Sequence, residues 1–292
     1  MKVFAMPQGS AGYEFDHLRA VFEDHGVILL NGNRFDLRAF EQLTRHFCQD
    51  FHQVGTRQVL RQADGDGFTT EVFRDNFILL GHAEGTYRPY PPPPEVCFFM
   101  CVTPPAVAGG ETTLVDGAEF LKAMPADLRN RLEHVGVIYE CLWEVERWQA
   151  EFGIDTEAEL KALLASFPNI RFGLTDGVLN LFYSTPAITR SRSGTPVFAN
   201  GVLAHLPCIS HPRYAGLPVY VKATNQVYFG DGEPFSEKVV NALVDAHEQV
   251  VYRHRWMANE VLIVDNTRYM HGREMTVQPC DRALVSRFGS LR

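Results

Sequence analysis

Long apolar runs are missing from this chain of 292 residues. No uninterrupted stretch approaches the roughly 18 residues that a membrane-spanning helix needs. The opening Met1-Lys2-Val3-Phe4-Ala5-Met6-Pro7 is too short in apolar residues for a secretory signal. A soluble, cytoplasmic protein with no membrane partner is the expectation. Positive charge is also scarce, since 27 Lys and Arg against 35 Asp and Glu leave a formal net charge of −8. That balance gives no general attraction for phosphate backbones or anionic lipid, so nucleic acid is not expected as a partner. Closely spaced cysteines are few too, only Cys97 and Cys101 being near each other. Cys48, Cys97, Cys101, Cys141, Cys208 and Cys280 are scattered, whereas a zinc site wants tighter pairs and four ligands. Cys97 and Cys101 lie in an apolar run and read as buried residues on one face of a strand.

Other ligand-binding patterns fall short as well. Asp64-Gly65-Asp66-Gly67 lacks the further ligands and the terminal Glu of a calcium loop and reads as a flexible turn. Phe229-Gly230-Asp231-Gly232 opens no phosphate-binding helix and reads as a tight turn. His254, between Arg253 and Arg255, reads as a surface or packing histidine.

What the chain has is apolar periodicity. At 46% hydrophobic residues it is long enough for one sizeable core, and β-barrels of this length form single domains. Phe15, Leu18, Val21 and Phe22 recur at helical spacing up to Gly26, and Val27 to Leu30 follows as a buried strand. Leu37, Phe40, Leu43 and Phe47 mark a second amphipathic helix. Strands are expected at Phe77 to Leu80, Val96 to Thr103 and Val261 to Val264, with Pro91 to Pro94 as a stiff connector. The stretch from about Tyr139 to Asn200 is the least strand-like, with a helix around Thr156 to Ala165. A late helix, Ser236 to His247, has Ser236 as its expected N-cap.

The strongest chemical signal is His82-Ala83-Glu84, answered about 190 residues later by His271. Two residues apart on an extended chain, an imidazole and a carboxylate point to the same side and can reach one ion, while a third ligand comes from a distant strand. Two His and one carboxylate form the facial triad that holds Fe(II) and leaves positions open for substrates and O2. His82 is the only histidine followed two places on by an acid. Nearby stand Gly109-Gly110-Glu111-Thr112 and, 11 residues after His271, Arg282. A guanidinium with a hydroxyl such as Thr112 can clamp a small dicarboxylate. Asp265-Asn266 reads as a turn closed by side-chain to backbone hydrogen bonds that orient the His271 segment.

These segments, together with His25-Gly26-Val27-Ile28-Leu29-Leu30, Phe229-Gly230-Asp231-Gly232, Trp256 and His271-Gly272-Arg273, resemble the clavaminate synthase-like and taurine dioxygenase-like (TauD/TfdA) family. The likeness is to the branch of these Fe(II)/2-oxoglutarate oxygenases whose iron carboxylate is Glu. The resemblance implies a mainly β fold with flanking helices and a double-stranded β-helix (jelly-roll) core. It implies one oxygenase domain over 1–292, with a lid-like insertion at about 139–200. It also implies His82, Glu84 and His271 as iron ligands, Thr112 and Arg282 as contacts to the distal carboxylate of 2-oxoglutarate, and O2 as co-substrate. Members often carry a second arginine three or four residues after the first. Here Arg287 lies five beyond Arg282, on the opposite face of an extended strand, and has no expected site role.

The expected reaction is hydroxylation of an unactivated C–H bond in a small amino-acid-like metabolite, free or carrier-bound, in specialised metabolism. Desaturation, cyclisation and epimerisation share the same iron chemistry, and a non-catalytic jelly-roll binding protein is a more distant reading. An intact Glu84 argues against halogenation, which needs an open position for halide. Tyr87, Arg88 and Tyr90 follow the metal pair and are expected to line the mouth, with Arg88 on a substrate carboxylate or in an exposed salt bridge. Trp143 and Trp148 read either as lid residues or as a second small core. Oligomeric state is not legible.

Overall fold

The computed structural model describes residues 4–6, 14–31, 35–53, 66–72, 76–207, 210–221, 225–276 and 281–292. Asp64, Gly65, Cys208, Cys280 and most of Met1–Pro7 lie outside them. Strand β1 (Phe4–Met6) is followed by helix α1 (Phe15–His25), whose buried Leu18, Val21 and Phe22 form one stripe. Strand β2 (Val27–Leu30) leads to α2 (Leu37–Phe47), where the Asp36 side chain accepts the Ala39 N–H as an N-cap. Then come β3 (Cys48–His52), β4 (Thr70–Glu71), β5 (Leu79–His82), β6 (Val96–Thr103) and β7 (Thr112–Asp116).

The middle of the chain holds α3 (Gly117–Ala123), α4 (Ala126–Val135), β8 (Val137–Trp143), α5 (Val145–Phe152), α6 (Glu157–Ala165), β9 (Ile170–Thr175) and β10 (Val178–Thr185). Short β11 (Thr189–Arg190), β12 (Pro196–Val197) and α7 (Val202–His205) follow. The chain finishes with β13 (Asn225–Phe229), α8 (Glu237–Val250), β14 (Tyr252–His254), β15 (Val261–Asp265), β16 (Tyr269–Arg273) and β17 (Ala283–Leu291). Ser236 occupies the N-cap position of α8 but its side chain makes no capping bond, unlike Thr156, which closes a full capping box with Glu159 at α6.

Two sheets face each other as a jelly roll. The larger has the order β1-β2-β15-β6-β17-β3, with β4 on β17, and the smaller the order β14-β7-β16-β5. Apart from the parallel β1–β2 pair, the named strand pairs are antiparallel. Alternation along the central strands builds both faces of the large sheet. Cys97, Phe99, Cys101, Leu262 and Val264 meet Leu114 and Tyr269 of the small sheet in the inner core. Val96, Phe98, Met100, Val261 and Ile263 pack outward on Leu18, Phe22, Phe40 and Phe47 of α1 and α2. Cys97 and Cys101 therefore share one buried face, as expected.

The reading of 139–200 as the least strand-like stretch is overturned. It carries β9, β10 and most of β8, which with β13 form a third sheet in the order β13-β8-β10-β9. β8 is mostly buried, whereas β9 and β10 mix polar with apolar residues and Ile170 to Thr175 alternates strictly between half-buried and exposed, so no apolar run announces these two strands. Trp143 and Trp148 are both 1% exposed and lie in the largest core, which also takes in Leu80, Val115 and Met270 from the outer face of the small sheet and Val240, Leu243 and Val244 of α8. Among the described residues no helix is long and apolar enough to cross a membrane.

Candidate metal centre

His82 ends β5 and pairs directly with His271 of β16, which in turn faces Leu114 of β7. Directly paired residues project to the same side, so both imidazoles enter the space between the two sheets. Their ring centroids stand 4.5 Å apart. Gly272 makes this approach possible, because a Cβ there would lie 2.3 Å from the Leu79 carbonyl oxygen and 2.7 Å from Thr113 Oγ1. Glu84 completes the cluster from just past β5. Its Oε2 is 3.6 Å from His82 Nε2 and 3.7 Å from His271 Nε2.

This donor set fits a ferrous ion. The ligand atoms of the three residues all lie within 4.8 Å of one another. An ion with ligands at about 2.1 Å wants neighbouring donors about 3 Å apart, so small side-chain adjustments close the set. His82 Nδ1–H donates to the Leu80 carbonyl at 3.2 Å, which fixes the tautomer and leaves Nε2 with a lone pair toward Glu84. Burial, reinforced by His82 and opposed by Glu84, pushes the His271 pKa down to about 3. Its imidazole is therefore neutral at pH 7, the form that binds metal. His82 and Glu84 side chains keep 17% exposure each against 8% for His271, so the centre opens to solvent on the side of the first pair.

The Gly-Gly-Glu-Thr loop that leads into β7 meets Arg282. Gly110 has φ +71°, and a Cβ on it would lie 2.8 Å from Thr276 Cγ2 and 2.9 Å from Arg282 Cδ. Only glycine allows both the backbone conformation and the arginine's approach. Two residues on, Thr112 lies on the same face of β7 as Leu114, hence on the His271 side of the sheet. Trp256 Nε1–H donates to Thr112 Oγ1 at 2.9 Å, and Trp256 is edged by His254, whose Nε2 meets Glu260 Oε2 at 3.1 Å. His254 is thus a buried packing histidine, not a surface one.

Arg287 lies on the other face, as the strand period requires. It is fully buried and donates to Asp66 at 2.7 and 2.8 Å and to Thr69 at 2.8 Å, with its guanidinium 4.1 Å from the Phe51 ring centroid. Asp66 also accepts from Arg45 at 2.6 Å, so this acid serves two arginines.

Tyr87 and Arg88 are not at the mouth. Arg88 is 3% exposed, with Nε 3.0 Å from Glu151 Oε2 and Nη1 donating to the Pro91 carbonyl at 3.0 Å. Glu151 on α5 also pairs with Arg147 and accepts from the Tyr87 hydroxyl at 3.2 Å. A buried internal carboxylate thus takes the place expected for a substrate carboxylate, and the exposed salt bridge is ruled out equally. Tyr90 alone of the three is exposed, at 40%.

Asp265 and Asn266 divide the work expected of them jointly. Asp265 Oδ1 accepts the Thr267 N–H at 2.8 Å and its hydroxyl at 2.6 Å, which closes the turn. Asn266 instead reaches Glu84: its Oδ1 accepts the Glu84 N–H at 2.8 Å and its Nδ2 donates to the Glu84 carbonyl at 3.1 Å. Ala83 N–H donates to the Asn200 carbonyl at 3.0 Å. Neither asparagine contact was legible, because the partners are remote in the chain and the motif itself contains no asparagine.

A family model described as taurine catabolism dioxygenase TauD, TfdA family matches residues 7–287. The chain is similar to the tyrosine isonitrile desaturase of Pseudomonas aeruginosa, at 23% identity over 275 residues covering 91% of this chain and 78% of that protein. Among solved structures it is similar to PvcB of Pseudomonas aeruginosa, described as an Fe, alpha-ketoglutarate dependent oxygenase from an isonitrile synthetic pathway. That match has a TM-score of 0.56 and 16% identity, and covers 95% of this chain and 80% of the other. A taurine dioxygenase from Burkholderia xenovorans also gives a TM-score of 0.56, at 15% identity with 99% and 86% covered.

Proposed function

This chain belongs to the TauD/TfdA family of dioxygenases, and from that premise we propose that it oxidises an unactivated C–H bond of a small amino-acid-derived metabolite. It is an enzyme that uses Fe(II), 2-oxoglutarate and O2 on a small-molecule substrate. The observation that carries the reading is the convergence of His82, Glu84 and His271, with one carboxylate oxygen 3.6 and 3.7 Å from two imidazole nitrogens.

In this proposal the three side chains hold the ion on one face, and Arg282 with the Thr112 hydroxyl orients 2-oxoglutarate through its distal carboxylate. When bound, iron with 2-oxoglutarate and O2 supplies an oxidant able to take hydrogen from an unactivated C–H bond, with succinate and CO2 as co-products. The protein's task is then to hold the target C–H close and to exclude water. Exclusion falls to the 139–200 stretch, which is fastened to the metal motif through Asn200 and packed by Trp143 and Trp148, a fixed cover more than a hinged one. A cytoplasmic location belongs to the same proposal, since a reducing compartment suits ferrous iron and the buried thiols of Cys48, Cys97, Cys101 and Cys141.

Hydroxylation is the outcome proposed from the sequence, on a substrate free or carrier-bound. A second outcome, desaturation, is favoured by the similarity to tyrosine isonitrile desaturase, and points to an aromatic amino-acid derivative. The test is anaerobic addition of Fe(II) and 2-oxoglutarate, read by the weak visible charge-transfer band, followed by a screen of amino acids and N-modified aromatic amino acids that perturb it. Product mass then decides: one added oxygen supports hydroxylation, and loss of two hydrogens supports desaturation or ring closure. Absence of the band, with succinate release unaffected by His82→Ala, would refute the catalytic reading.

A further inference from the structure

The ladder between β5 and β16 reaches the His271–His82 pair, and Glu84 lies two residues past it. At Gly85 the chain turns away, with φ +75°. The Glu84 backbone therefore sits where the strand partner has run out, and its position is set by a side chain. Asn266 is 3% exposed and spends its whole amide there. Oδ1 accepts the Glu84 N–H at 2.8 Å, and Nδ2 donates to the Glu84 carbonyl at 3.1 Å and the Pro94 carbonyl at 2.8 Å. The amide orientation is fixed by these partners, because a flipped group would set NH2 against an N–H and oxygen against two carbonyls. The Asn266 backbone N–H is held as well, by the Glu95 carbonyl at 2.9 Å.

We propose that Asn266 is the positioning residue for the metal carboxylate: its amide pairs with both backbone polar groups of Glu84 as a neighbouring strand would, and so fixes the base from which that carboxylate reaches the ion. The inference rests on the reading of His82, Glu84 and His271 as metal ligands. It goes beyond that reading by coupling the two halves of the centre. Asn266 stands in the turn between β15 and β16, five residues before His271, so one amide ties the Glu84 ligand to the segment that delivers the His271 ligand. A long glutamate with three rotatable bonds gains most from such a fixed origin, since every degree of backbone play is magnified at the carboxylate.

The test is binding of Mn(II) to the full chain without 2-oxoglutarate, followed by calorimetry and by the loss of the free-ion paramagnetic resonance signal. Binding by the wild type that His82→Ala abolishes establishes the centre independently of Asn266. Asn266→Ala is then expected to weaken Mn(II) binding by about tenfold to a hundredfold, the usual effect of removing an outer-shell partner. In a Glu84→Ala background the same substitution should change Mn(II) affinity by less than about twofold, because its effect travels through Glu84. Thr267→Ala, in the same turn, controls for general loosening and should leave affinity unchanged. Asn266→Ser serves the same cycle if the alanine variant does not fold. Wild-type Mn(II) affinity in a folded Asn266 variant, or an equal loss with and without Glu84, overturns the proposal while leaving the metal centre standing.

Discussion

Two arginines five residues apart end in different layers of this molecule, because an extended strand turns residues of opposite parity to opposite faces. Arg282 lies against Gly110 on the inner side, and Arg287 among Asp66, Thr69 and Phe51 on the outer side. Their substitution should separate binding from stability. Arg282→Ala is expected to weaken 2-oxoglutarate binding to the Mn(II) protein by at least about 30-fold, equivalent to roughly 2 kcal/mol for a lost charge-assisted contact. Arg287→Ala should leave that affinity within about twofold and lower unfolding free energy by about 3 kcal/mol, since Asp66 and Glu41 lose a buried counter-charge. Calorimetry and urea unfolding on both variants check the pair. A weakened co-substrate in the Arg287 variant with an intact one in the Arg282 variant would refute the assignment of faces.

At the scale of elements, what could be read in the sequence followed from local periodicity, and what could not followed from distance along the chain. β2, β6 and β15 are apolar on both faces and show themselves as runs; α1, α2 and α6 show theirs at helical spacing. β9 and β10 were missed because β9 turns an exposed face carrying Arg171 outward and one face of β10 is half-exposed and carries residues such as Asn180. Likewise His82 and Glu84 were legible as a pair two residues apart, whereas Asn266 and Glu151 act on that segment from 182 and 64 residues away. Glu151 is the clearest case, since α5 is fastened by it to the chain just after the metal motif. Arg88→Met should therefore act on stability. We expect a loss of about 2–4 kcal/mol in urea unfolding, because Glu151 has no exposure and would keep Arg147 as its remaining cation. Glu151→Gln added to Arg88→Met should cost clearly less than the sum of the two single changes. Strict additivity would mean that the pair is not coupled and that Arg88 is available for another partner.

Across the whole molecule, groups far apart titrate in the same sense, and this gives a pH dependence whose sign can be worked out. Hydrogen bonds from Arg287, and then from Arg45, outweigh burial and hold the Asp66 carboxyl well below its ordinary 3.8. Burial alone would raise Glu248, but hydrogen bonds from His247, Tyr214 and Arg253 hold it well below its ordinary 4.5. These two depressed acids contribute stability that is present above their unfolded values and is lost as pH falls toward their folded ones. His271 acts earlier. With its folded pKa near 3 against an ordinary 6.5, the unfolded chain holds a proton that the folded chain lacks throughout that interval, so stability drops as pH falls below about 6.5. His52, also lowered chiefly by burial, adds to the same limb. Urea midpoints of the metal-free protein should thus decline gently from pH 7.5 to 5 and steeply below 4.5. His271→Gln should flatten the upper limb and lessen the lower one without abolishing it, because the carboxylate pairs stand in other layers. Unchanged slope between pH 6.5 and 5 in that variant would mean that the buried imidazole does not set the acid sensitivity of the fold.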